Sequence, residues 1–177
     1  MYFLMAQAAG LLAIVLGTLS FQCKRTGPLL LCQTLGNVAF VAHYWMLNAY
    51  SACLGQVVLI VNNLLLYGGR TSRVSALKWL CAAAAMGVSL TTWKDGFSFL
   101  PGAAAVVTIL TNWTFQGKTI RLGKLLVSCP MWVVYDLHVR SWSGILCELI
   151  AMASALISIR RYGWQAEGPE EERSGAA

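Results

Sequence analysis

Four side chains stand where hydrophobic sequence should not tolerate them. His43 and Gln56 lie in one apolar hairpin, Phe40–Asn63, on either side of a short polar turn near Asn48–Tyr50. Tyr135 and Glu148 lie in a second, Trp132–Ala155, on either side of a turn near Arg140–Trp142. One ungapped shift relates them, since 135 − 43 = 92 and 148 − 56 = 92. A carboxyl group inside a hydrophobic hairpin is costly and marks a place where function is expected.

Other polar residues fall on helical faces around these four. Gln33, Asn37, Tyr44 and Asn48 share one face at helical spacing, and Gln56 shares a face with Asn63, beside Asn62. The second hairpin answers with Cys129, Asp136 and Arg140, then with Glu148. Polar side chains avoid lipid, so these stripes face the interior of a bundle and converge on a central pathway. The candidate binding residues are therefore Asn37, His43, Tyr44, Gln56, Asn62, Asn63, Tyr135, Asp136 and Glu148. The amides and Tyr44 offer hydrogen bonds to a polar solute; Glu148, with Asp136 or His43, offers a charge or a coupling proton.

Each has a plainer reading. Amides in packed membrane helices often only bond a neighbouring helix, worth about 0.6–2 kcal/mol. His43 also reads as a satisfied core histidine. Asp136 and Arg140 are four apart and would neutralise each other on one helical face. Glu148 has no cation within a turn of its own helix, so it must be protonated, paired across helices or open to water.

Catalytic constellations are absent. Ser141-Trp142-Ser143-Gly144 has no convincing general-base partner, since His138 falls on the outer turn, and no metalloprotease motif, phosphate loop or paired catalytic carboxylates appear. The reading is a non-enzyme without cofactor or metal. Six cysteines show no close pairing, and five fall in apolar runs, where a thiol behaves as a small hydrophobe.

The elements that must position these residues follow from composition. With 58% hydrophobic and 11% charged residues over 177, the chain carries more apolar surface than a soluble domain can bury. Its apolar runs of roughly 17–20 residues suit a hydrocarbon core about 30 Å thick. Seven spanning helices are expected, near 2–22, 28–48, 51–67, 75–93, 98–115, 120–139 and 142–160. The N-terminal run has no basic residue before Ala6-Gln7-Ala8 and continues to Leu19, so it reads as a retained helix rather than a signal peptide.

With the N-terminus outside, the inner side receives eleven basic residues and the outer side only Lys94 and Arg140. Spread between hydrophobic runs, this +6 charge flanks a membrane and excludes nucleic acid as a partner. The 92-residue shift lays helices 1–3 on helices 5–7 and leaves helix 4 unmatched. The expected fold is an all-α integral membrane protein in a 3+1+3 arrangement: a triple-helix bundle over 1–69, a linker helix over 70–96, a second bundle over 97–162, and a solvated tail over 163–177.

The sequence resembles the bacterial inner-membrane YgjV proteins. The resemblance rests on Ala6-Gln7, Gly10, Gly17 and His43 in the first half, and on Leu100-Pro101, Trp113, Arg121, Trp132, Tyr135-Asp136, Gly144 and Glu148 in the second. It implies a protein of the inner membrane and brings no established activity; the helix count makes the chain multi-pass, and the charge bias puts the N-terminus outside and the C-terminus in the cytoplasm. The 3+1+3 layout is also similar to that of SWEET and PnuC-type transporters, a likeness of plan alone. The expected partner is the lipid bilayer, with a small polar solute or a proton at the stripes. A homo-oligomer stays open. Expected functions are a small-solute transporter or, alternatively, a non-transporting membrane receptor or accessory protein of the same fold.

Overall fold

The computed structural model describes residues 2–22, 26–67, 75–114 and 117–162. Among these, every regular element is helical: α1 (Tyr2–Gln22), α2 (Thr26–Met46), α3 (Tyr50–Tyr67), α4 (Ser75–Thr91), α5 (Phe99–Asn112), α6 (Gly117–Gly123), α7 (Cys129–His138) and α8 (Trp142–Tyr162). A π-helical turn, Lys124–Ser128, joins α6 to α7, and its flanking residues keep right-handed helical angles, so the two form one rod. Seven rods result, with no strand among the described residues. The acidic tail expected over 163–177 lies outside the described residues.

Proline explains the π turn. Pro130 stands in the first turn of α7 and has no N–H for the carbonyl one helical turn back. The ladder widens instead, with the Cys129 N–H donating to the Lys124 carbonyl five residues away.

Helix α2 ends two residues before the expected boundary because Asn48 takes a left-handed conformation at φ 55°. The Asn48 N–H donates to the Trp45 carbonyl at 3.0 Å and the Ala49 N–H to the Tyr44 carbonyl at 2.9 Å, which is a Schellman C-cap. The end of α7 is built identically at positions 92 higher. Arg140 has φ 57°, its N–H donates to the Leu137 carbonyl at 3.3 Å, and the Ser141 N–H donates to the Asp136 carbonyl at 2.8 Å.

Packing follows a circuit. Helix α1 lies on α2, α2 on α3, α3 on α5, α5 on α7, α7 on α8, and α8 returns to α1. Helix α4 packs on α5 and α3. Ala82, Ala85 and Ala105 let α4 and α5 approach closely, around Ile109 and Leu59. A second cluster fills the middle of the circuit, where Ala13, Phe40, Tyr44, Ala52, Ala104, Trp132 and Tyr135 meet.

The outside is apolar: Leu4, Trp45, Leu80, Leu126 and Ile157 are each more than 60% exposed. By length and apolarity alone, two stretches suffice to cross a membrane, Tyr2–Leu19 and Tyr50–Tyr67, against the seven expected. The remaining helices are shorter, carry polar side chains, or are broken by the π turn.

Candidate functional site

At one end of the bundle the α2–α3 turn, the α4–α5 loop and the α7–α8 turn come together. The Lys94 ammonium donates to the Asn48 carbonyl at 2.6 Å, and His138 Nε2 lies 2.7 Å from Asp95 Oδ2. Asp95 also caps the short 3-10 turn Gly96–Ser98, accepting from the N–H groups of Phe97 and Ser98. Desolvation opposes its ionisation, but the hydrogen bond and charge of His138 outweigh it, so the Asp95 carboxyl sits below the usual carboxylate range. Between these loops opens a cleft of ≈ 220 Å³ lined by Asn48, Tyr50, Lys94, Asp95 and His138, with Tyr135 in its wall.

Beneath that cleft lies a buried polar cluster drawn from both halves of the chain. The packing of α1 on α2 sets His43 Nδ1 2.7 Å from the Ala6 carbonyl. Its other nitrogen, Nε2, lies 2.7 Å from Ser141 Oγ, across 98 residues of sequence. Ser141 is held by the α7 cap and receives the Gly144 N–H at 3.2 Å. The Tyr44 hydroxyl donates to Asp136 Oδ1 at 2.8 Å. His43, Ser141 and Asp136 are all fully buried.

Tyr44 and Asp136 are 92 residues apart, so this bond joins equivalent positions of the two hairpins. The Tyr44 ring is sandwiched between Phe40 and Trp132, themselves 92 apart, at centroid distances of 5.6 and 5.9 Å. Tyr135 bonds the backbone at Ala52 through its hydroxyl, serving an orphan N–H in the first turn of α3.

Glycines make the approach possible. A Cβ at Gly10 would collide with Ser143 Oγ and come within 3.0 Å of His43 Nδ1. A Cβ at Gly144 would collide with both Ser141 Oγ and Asp136 Oδ2.

The remaining sequence candidates lie elsewhere. Glu148 faces the Cys129 thiol and feels the Lys124 ammonium from the neighbouring π turn, so its charge partner is across helices. Asn62 Oδ1 accepts from the Trp113 indole at 2.8 Å, tying α3 to the end of α5. Asn63 is buried, and Asn37 is only partly buried. The expected Asp136–Arg140 pair does not form: Arg140 has left the helix for the left-handed turn position, while Asp136 points inward to Tyr44.

Four atoms of the candidate residues are buried without a hydrogen-bond partner among the described residues: Gln56 Oε1, Asn62 Nδ2, Asp136 Oδ2 and Glu148 Oε2. Gln56 and Glu148 occupy equivalent positions of the two hairpins. The sequence alone left Ser141 without a base, and the structure supplies His43. The available signal was a hydroxyl at Ser141 where the equivalent turn position, Ala49, has none. Pro130 was the corresponding signal for the π turn. Cys32, Cys53, Cys81, Cys129 and Cys147 are free thiols; Cys23 lies outside the described residues.

These features define a helical membrane protein with a polar centre. The family described as Imp-YgjV, bacterial inner membrane protein, matches residues 4–166, and the chain belongs to it. Its place is accordingly the bacterial inner membrane, in contact with lipid. No curated protein matches the chain, and no solved structure does.

Proposed function

We propose that this chain is a multi-pass carrier of small polar solutes, working by alternating access between two related three-helix units joined by α4. The units are α1–α3 and α5 with α6–α8, with the N-terminus outside and the C-terminus cytoplasmic. Three observations support the two-unit reading. The Schellman caps at Asn48 and Arg140 share their hydrogen bonds position for position. The contact of α3 with α5 is the counterpart of the contact of α8 with α1. Tyr44 and Asp136 bond across the shared interface.

One observation carries the solute. Gln56 Oε1 and Glu148 Oε2 are buried at equivalent positions, and neither oxygen has a hydrogen-bond partner among the described residues. An orphaned buried polar atom costs about 1–3 kcal/mol, and more beside hydrocarbon, so retaining such a pair calls for a compensating ligand. A solute carrying hydroxyl or amide donors would satisfy both oxygens. The cleft at the three-loop end, with Tyr135 in its wall, is the opening at which this reading has the solute enter.

Uptake of a panel of labelled polar solutes into proteoliposomes tests this. Uptake should occur for at least one of them, and Glu148→Gln should reduce it by tenfold or more, about 1.4 kcal/mol. Unchanged uptake in Glu148→Gln would remove the site assignment. No uptake across the panel would favour a non-transporting receptor of the same fold.

A further inference from the structure

The cluster beneath the cleft has only a few ways to place its hydrogens, and that restriction identifies a second ligand. A carbonyl oxygen only accepts, so the 2.7 Å contact with Ala6 requires a hydrogen on His43 Nδ1 in every state. Tyr44 supplies the hydrogen on Asp136 Oδ1. Ser141 Oγ accepts the Gly144 N–H and has one hydrogen of its own to give, either to His43 Nε2 or, by turning, to the Asp136 carboxyl, whose Oδ2 faces it across Gly144 and has no hydrogen-bond partner among the described residues.

Two arrangements satisfy every group. In the first the imidazole is neutral, Ser141 donates to Nε2, and Asp136 is a carboxylic acid whose Oδ2–H donates to Ser141 Oγ. In the second the imidazole is a cation donating from Nε2 to Ser141 Oγ, and Ser141 donates to an Asp136 carboxylate. Each holds one exchangeable proton. Passing between them breaks Oδ2–H and forms Oγ–H while the original Oγ–H breaks and Nε2–H forms, so atoms and charge balance without a co-reactant. Without that proton, Ser141 still serves Nε2 and Asp136 Oδ2 becomes a buried anionic oxygen with no donor.

The geometry points to His43, Ser141 and Asp136 as a binding and transfer site for a single proton, which holds the two three-helix units together at the three-loop end. Ala6 and His43 belong to the first unit; Asp136, Ser141 and Gly144 belong to the second. Other ionisable groups act here from each neighbouring element: Tyr44 on α2 bonds Asp136, and Cys147 and Glu148 on α8 lie within electrostatic reach of it. Cys129 on α7 and Lys124 on the π turn act on Glu148 in turn. This site deepens the carrier reading by naming its coupling ion, separate from the solute position at Gln56 and Glu148.

The chain has two histidines, so His138→Gln leaves His43 as the sole imidazole for nitrogen-15 NMR in lipid nanodiscs. In that background His43 should show the Nδ1–H tautomer when neutral. Ser141→Ala and Asp136→Asn should each move its titration midpoint by about one pH unit or more, a tenfold change in proton affinity. Ser141→Thr, which keeps the hydroxyl, should restore the parent midpoint and shows that the fold survives at this position. A midpoint unmoved in Ser141→Ala, or an Nε2–H tautomer in the parent, would overturn the proton site. The measurement uses no solute, so absence of uptake would remove the carrier reading without touching it, and a failed titration would leave any uptake standing.

Discussion

A hydrogen atom at the Gly144 α-carbon, where most residues carry a methyl group or more, lets Asp136 and Ser141 meet. Gly144→Ala would drive a methyl into both Ser141 Oγ and Asp136 Oδ2. It should lower stability by about 1–3 kcal/mol, the usual cost of overpacking. Thermal unfolding in detergent reads this, with Gly87→Ala as the control, since no atom lies within 4 Å of a Cβ there. At this scale the sequence was half legible. His43, Tyr44 and Asp136 stood out because polar groups in apolar runs are conspicuous. Their partners did not: the Ala6 carbonyl has no side-chain signature, and Ser141 meets His43 only because α8 closes on α1. The Asp136–Arg140 pairing failed for a related reason. Spacing of four implies one helical face only while the helix lasts, and α7 ends at His138.

The two hairpins are the most legible elements, because equal depth on either side of a turn survives as equal spacing in sequence. The same turn is built twice with different chemistry at its left-handed position, Asn48 in one and Arg140 in the other. Asparagine tolerates that conformation and arginine pays roughly 1 kcal/mol or more for it. Arg140→Gly should therefore raise the unfolding midpoint, whereas Asn48→Val should lower it, because a β-branched side chain is poorly tolerated at φ 55°. Circular-dichroism melts of both variants check the two signs together. The rod from α6 to α7 was less legible. Its length was visible, but the π turn offsets the face of α6 from that of α7, so Lys124 reaches Glu148 in a way that regular helical spacing does not anticipate.

At the scale of the whole molecule, the three-loop end is fastened from outside by His138 and Asp95 and from inside by the polar cluster. The outer fastening carries a pH signature with a definite sign. The Asp95 carboxyl is held below its ordinary value, so its contribution is fully present above that value and is lost as pH falls through the lowered one. Unfolding temperature should drop on acidification below about pH 4, and Asp95→Asn should flatten that limb. A melting series from pH 3 to pH 7 on both proteins decides it. The all-helical class and the seven rods were legible from the apolar runs, although only two of those runs suffice by length and apolarity to cross a membrane; the circuit of helices was not legible, because order of contact around a bundle leaves little trace in a single sequence. That circuit bears on biogenesis. Its last seam joins the first helix to the last, as where the Ser143 N–H donates to Gln7 Oε1 across 136 residues. Until translation has delivered α8, Gln7 on α1 lacks the Ser143 N–H that it accepts in the finished fold. A nascent chain arrested before α8 thus leaves the α8-facing flank of α1 uncovered, so the bundle closes only when its last helix arrives.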